Sequence, residues 1–207
     1  MRLIPPLGFG AMSNFPPLDG SAPKKQKFDA APEMGIDPSK RYTATMETSM
    51  GTLVIALDPI AAPITVNNFV FLAAQHYYDG VIFHRIIKSF MCQGGDPSGT
   101  GRGGPGYQFA DELPQPFKYI KGAVAMANAG SNTNGSQFFI CADDLIRKVD
   151  DPITGKRKNF LEPLYSLFGQ VVKGLDIVEM MQNVPTGPGD RPKDDVVIRS
   201  VTITVAD

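Results

Sequence analysis

Val81-Ile-Phe-His-Arg-Ile-Ile87 and, after Lys88-Ser89, Phe90-Met-Cys-Gln-Gly-Gly-Asp96 are the runs on which the fold of this chain turns. Both are short, apolar and rich in β-branched and aromatic residues, and they read as strands over 81–87 and 90–93. Under strand alternation Arg85 shares a face with Val81, Phe83 and Ile87, while His84 falls with Ile82 and Ile86. Both faces are apolar, which predicts burial on both sides. A permanent cation there is costly unless it has partners or a task.

Working outward, Tyr42–Thr48 and Leu53–Leu57 flank Ser49-Met-Gly51 and read as a β-hairpin. Pro63 opens a helical segment from Ile64 to about Gln75, with Val66, Phe69, Val70 and Ala73 along one face. Asp79-Gly80 is a turn, and 94–106 is a Gly-rich loop. Further strands are predicted at 122–128, 137–141, 167–172 and 196–205, and a second helix from Leu175 to Met181. Many short strands, Gly/Pro turns and only two helices predict a mainly β protein: a closed antiparallel barrel with helical caps.

Two segments stand apart. Residues 1–40 hold Pro5, Pro6, Pro16, Pro17, Pro23, Pro32 and Pro38 and show neither strand nor helix period, so they read as an extended arm. Its Xaa-Pro pairs (Ile4-Pro5, Phe15-Pro16, Ala22-Pro23, Ala31-Pro32) are candidate ligands for a proline-binding groove; the plainer reading is an arm packed on the barrel or loose. Residues 143–159 are polar and read as an exposed loop or small hairpin.

Composition narrows the function classes. With 207 residues, 43% hydrophobic and 20% charged, the chain suits one soluble domain plus a tail. A net charge of −1 offers no broad basic field for nucleic acid or anionic membrane, and Lys24-Lys-Gln-Lys27 reads as a solvated patch. No run is long enough to span a membrane, and the first residues make a poor secretory signal, so a cytoplasmic protein is expected. Cys92 and Cys141 imply packed thiols, not a disulfide framework. Together with His76 and His84 they match no zinc spacing, and no cofactor is expected. Gly99-Thr-Gly101-Arg-Gly-Gly104 has G-x-G-x-x-G spacing, but Pro105-Gly106 follows where a dinucleotide site needs a helix. Asn134-Gly-Ser136 is a glycosylation sequon without a secreted context.

Alternation also assembles a candidate site. Met91 shares a face with Gln93, and Gln137 with Phe139 and Cys141, so Met91, Gln93, Gln137 and Phe139 stand near one another across neighbouring strands. The small residues of Ala125–Gly135 admit a close backbone and offer N–H donors. No nucleophile–base pair and no clustered carboxylates accompany them, which suits binding or a conformational reaction rather than hydrolysis. Taken singly, Arg85 reads equally as a hydrogen-bonded structural arginine, and Phe90, Met91 and Phe139 as core.

Phe83-His-Arg-Ile-Ile87, Phe90–Asp96, Met126-Ala-Asn-Ala-Gly130, Asn132–Ile140 and Phe168-Gly-Gln-Val171 together resemble the cyclophilin family of peptidyl-prolyl cis-trans isomerases. The resemblance spans about 41–207 and leaves 1–40 as a Pro-rich extension. It implies an eight-stranded antiparallel barrel capped by two helices, with substrate in a groove on the outer surface. It implies rotation of Xaa-Pro bonds in peptides and folding proteins; oligomeric state stays open, with a monomer as the default expectation. On the matching positions, Arg85 is the catalytic arginine, Gln93 its polar partner, and the Asn128 backbone holds the substrate chain. Phe90, Met91, Phe139 and Leu161 line the proline pocket, Ala127 and Ala129 border the groove, and Gln137 and Gly101 complete its wall. Phe160 stands where human-type members carry tryptophan, as in many bacterial members, which implies weak binding of cyclosporin-type ligands at most. Tyr165 takes the place of a rim histidine. A module that recognises proline without turnover is the competing reading.

Overall fold

The structure, a computed structural model, describes residues 15–113, 118–145, 148–150, 157–159 and 164–207. Its elements are β1 (Arg41–Thr48), β2 (Gly51–Leu57), α1 (Pro63–Ala74), β3 (Arg85–Ile87), β4 (Met91–Gly94), β5 (Ala123–Met126), β6 (Phe138–Cys141), β7 (Lys148–Asp150), β8 (Arg157–Asn159), β9 (Leu167–Lys173), α2 (Leu175–Gln182) and β10 (Ile198–Ala206). Eight strands form one antiparallel, curled sheet in the order β10-β1-β2-β9-β5-β6-β4-β3. β7 and β8 pair separately, as the polar 143–159 stretch led us to expect of a small hairpin.

The two ends of the sheet are joined by an irregular segment. The Gly80 N–H donates to the Ile198 carbonyl, the Ile198 N–H to Val81, and the Phe83 N–H to Val196, each at 2.8 Å. These bonds satisfy backbone groups that an open edge would leave bare.

This closure corrects the reading of 81–87 as one continuous strand. Residues 80–83 bond to Val196–Ile198, the segment leading into β10, whereas Arg85–Ile87 pair with β4. The chain changes partner at His84, so the two-residue alternation breaks there. Phe83 is fully buried in the barrel interior, but the Arg85 side chain is 44% exposed. Arg85 therefore does not share a face with Phe83 and is not a cation buried on both sides.

Elsewhere alternation holds and separates two clusters. Ile86, Cys92, Val124, Met126, Phe138 and Ile140 point into the main core. Met91, Ala123, Ala125, Phe139, Cys141 and Leu167 form a second apolar cluster on the outer face of the same strands.

Helix α1 departs from the one-sided pattern. Every residue from Thr65 to Ala74 is buried, because the arm covers the side opposite the barrel. The ring of Phe71 meets Phe15 at 5.7 Å and Phe28 at 5.0 Å between centroids. Asn67 accepts from the N–H groups of Gly35 and Ile36 and donates to the Glu33 carbonyl. At the helix start Pro63 has no N–H that needs an acceptor, and the Glu112 carboxylate accepts from the N–H groups of Ile64 and Thr65. The described part of the arm is thus packed. Phe15-Pro16, Ala22-Pro23 and Ala31-Pro32 do not line the cavities of the barrel's outer face; Ile4-Pro5 lies outside the described residues.

Candidate active site

Strand register builds the site. Arg85 lies directly opposite Gln93, Gln93 opposite Phe139, Phe139 opposite Ala125, and Ala125 opposite Leu167. Directly opposed residues share a sheet face, so a cation, an amide, an aromatic ring and two apolar side chains form one row on the outer wall. Ile87, Met91 and Cys141 form the next row.

Arg85, Phe90, Met91, Gln93, Ala127, Asn128, Phe139 and Tyr165 line a cavity of about 200 Å³ on this row. Phe139 is its floor. Tyr165 meets Phe139 edge-on, with centroids 5.4 Å apart, and Tyr119 stacks against Phe139 from behind at 6.5 Å. The Tyr119 hydroxyl donates to the Tyr165 carbonyl at 2.6 Å, tying the two aromatic supports together.

A relay of amides forms the polar edge. Gln93 Nε2 donates to Gln137 Oε1 at 3.0 Å, and Gln137 Nε2 donates to the carbonyls of Gly101 and Gly103 at 3.1 and 2.9 Å. Gln93, Ala127 and Asn128 also border a second cavity of about 410 Å³, lined further by Gly101, Ala129, Gln137 and Pro105. The expected site residues therefore divide between two adjoining cavities, with Gly101, Ala129 and Gln137 in the second. Phe160 and Leu161 lie outside the described residues.

The Asn128 side chain is committed to the fold: Nδ2 donates to the Leu164 carbonyl at 3.1 Å and to Asp111 Oδ1 at 3.3 Å. The Ala129 N–H donates to Thr133 Oγ1 at 2.8 Å. Among the described residues no intramolecular hydrogen bond takes the backbone N–H or C=O of Asn128.

The Gly-rich loop encloses its own anion. Asp96 is fully buried, and its carboxylate accepts from the N–H groups of Ser98, Thr100, Gly101 and Gly103. Burial pushes its pKa up, but these bonds and the Ser98 hydroxyl outweigh burial and hold it below the ordinary carboxylate value. Donors that would cradle a phosphate in a nucleotide site are thus consumed by a carboxylate. His84, beneath the same loop, is buried, and burial lowers its pKa. The thiols of Cys92 and Cys141 lie in opposite clusters, and burial pushes both up to about 12. Among the described residues no group of three or more His, Cys, Asp or Glu side chains is placed to hold a metal ion, and no helix is long and apolar enough to cross a membrane.

Sequence reading missed Tyr119, Asp111, Thr133 and Asp190. Asp190 Oδ2 accepts from Arg85 Nε at 3.3 Å across 105 residues of chain. Tyr119, Asp111 and Asp190 act through partners brought close only by folding, whereas Thr133 bonds within its own turn, to the Ala129 N–H and the Gly130 carbonyl.

The antiparallel barrel thus brings an apolar pocket, an arginine and a relay of amides together on its outer wall. A profile of the cyclophilin type peptidyl-prolyl cis-trans isomerases matches residues 43–203. Peptidyl-prolyl cis-trans isomerase A of Mycobacterium tuberculosis is 43% identical over 185 residues, covering 81% of this chain and 94% of that protein. A peptidyl-prolyl cis-trans isomerase of Arabidopsis thaliana is 41% identical over 165 residues, covering 78% and 95%. A crystal structure of a cyclophilin type isomerase from Cryptosporidium parvum superposes with a TM-score of 0.69 at 32% identity, covering 81% of this chain and 99% of that one. The same protein in the presence of the dipeptide ala-pro gives 0.68 at 34% identity, covering 78% and 98%. The chain belongs to the cyclophilin-type peptidyl-prolyl cis-trans isomerase family, and its activity is the cis–trans isomerisation of prolyl bonds in proline-containing peptides.

Proposed function

We propose that Arg85, Gln93 and the Asn128 backbone carry the isomerisation and that Phe90, Met91 and Phe139 hold the proline ring. The observation that carries this assignment is the cross-strand row that sets Arg85, Gln93 and Phe139 side by side on one wall of one cavity. The prolyl bond resists rotation by about 18–20 kcal/mol because resonance gives C–N partial double-bond character. In the twisted transition state that resonance is lost and the nitrogen regains a lone pair. A donor aimed at the nitrogen is therefore useful only in the twisted form, which is the differential binding that catalysis needs. A guanidinium stays charged at all working pH values and presents a rigid fork of donors. With the ring clamped, the carbonyl side of the bond does the turning. A rate gain of about 10⁵ requires only about 7 kcal/mol, within reach of one charge-assisted hydrogen bond plus positioning.

Residues 41–207 are the isomerase domain in this proposal, and 1–40 an extension whose described part braces it. The enzyme works as a cytoplasmic monomer on folding and unfolded proteins, and cyclosporin-type ligands bind weakly. Exchange NMR on a prolyl peptide tests the assignment: Arg85→Ala should lose most turnover while keeping the wild-type thermal transition. Near-normal exchange by that variant would remove Arg85 from the mechanism.

A further inference from the structure

We propose that Asp190 is a positioning residue for the isomerase reaction, anchoring the Arg85 guanidinium by its Nε so that its two terminal amino groups face the substrate cavity. The inference rests on Arg85 being the donor assigned above.

Asp190 closes the single-turn helix Pro188–Asp190 and reaches Arg85 Nε with Oδ2 at 3.3 Å. Among the described residues no other acceptor takes a guanidinium hydrogen of Arg85. Its Nη groups thus remain for the substrate in the cavity it lines. An arginine side chain half exposed on an outer wall has many rotamers available, and a misplacement of about 1 Å at a reacting centre is enough to cost much of a rate. A single fixed carboxylate removes much of that freedom.

The turn that carries the carboxylate is itself held. Asp190 adopts a left-handed backbone conformation with φ of 60°. Its N–H donates to the Gly187 carbonyl, and the Gly187 N–H donates to Arg191 at 2.8 Å. The Arg191 side chain then donates from Nη1 to the Gly99 carbonyl at 3.0 Å and from Nη2 to Asp195 at 3.3 Å, fastening the turn to the Gly-rich loop. Both partners of the Arg85–Asp190 pair are nearly half exposed, at 44% and 46%. An ion pair so wet adds little to stability, so its effect belongs to orientation.

The left-handed backbone makes the test clean, because asparagine tolerates that conformation and glycine prefers it. Asp190→Asn removes the charge and Asp190→Gly the whole acceptor without straining the turn. Exchange NMR and a coupled prolyl-peptide assay, on the full chain, should show kcat falling about three- to five-fold for Asp190→Gly, less for Asp190→Asn, with KM nearly unchanged. The ¹⁵N resonance of Arg85 Nε should move in both variants. Wild-type kcat should decline as salt screens the pair, and the Asp190→Gly value should not. In an Arg85→Ala background Asp190→Gly should cost nothing further. Wild-type kcat in Asp190→Gly, an equal loss in the Arg85→Ala background, or a loss that tracks only the thermal midpoint would overturn the inference while leaving Arg85 in place. Near-normal turnover of Arg85→Ala alone would overturn both.

Discussion

The backbone N–H of Phe28 donates to the carbonyl of Pro105 at 2.8 Å, and Pro105 is part of the wall of the larger cavity. The N-terminal arm is therefore in direct contact with the frame of that cavity. Gly106 completes the joint: its φ is 105°, and a Cβ there would run into the Phe28 carbonyl. Tyr107, next in sequence, donates its hydroxyl to Asn68 of α1 at 2.6 Å. Helix, loop and arm lock one another.

Removing residues 1–40 should lower the thermal midpoint and raise KM for peptides long enough to reach the 410 Å³ cavity. KM for short prolyl peptides should change little, because the 200 Å³ cavity does not touch the arm. Phe28→Ala should reproduce part of the effect, costing about 1–3 kcal/mol for a partly buried ring. Thermal unfolding and a peptide-length series measure both; equal KM across lengths would separate arm from groove.

His76 reports the same docking through its titration. The Gly20 carbonyl, followed by Asp79, raises its pKa above the ordinary 6.5. A raised histidine contributes stability fully below 6.5, and the contribution fades as pH rises through the folded value. Histidine ring NMR should show His76 titrating above 6.5 in the full chain. Deleting the arm, and Gly20 with it, should bring the value down.

Asp96 has the opposite sign. Its lowered pKa means that its contribution is complete above 3.8 and is lost as pH falls through the folded value. Asp96→Asn keeps the shape but turns one accepting oxygen into a donor facing N–H groups, which should cost about 2–4 kcal/mol. Denaturant titrations at pH 7 and pH 3 should show the gap between wild type and variant closing at the lower pH. A gap independent of pH would mean that the loop does not depend on the carboxylate charge.

Turnover should be nearly flat between about pH 6 and 8, since rotation of an amide needs no proton transfer. His84 lies close to Arg85 in sequence, but burial lowers its pKa and favours the neutral ring. A bell-shaped profile with a fixed peptide would place an acid or base in the reaction.

Much of this protein is visible in its sequence wherever structure repeats locally. Alternation with a period of two puts Gln93 and Phe139 on one face, and their pairing in β4 and β6 obeys that period. The two helices begin and end close to the residues expected of them. The burial of Phe71 is not legible in the sequence, because Phe28, which packs on it, belongs to a segment with no period of its own.

The order of residues alone determines which side chains face out of each regular strand, and hence the apolar floor and amides of the site. Tertiary structure decides the environment of Arg85. Its exposure comes from a change of strand partner at His84, and its anchor comes from Asp190, a turn residue 105 positions away. Backbone pairing that shifts from one neighbour to another leaves no mark in hydrophobic periodicity. A single long-range ion pair leaves none either, since each residue carries only its own charge until the barrel brings the two together.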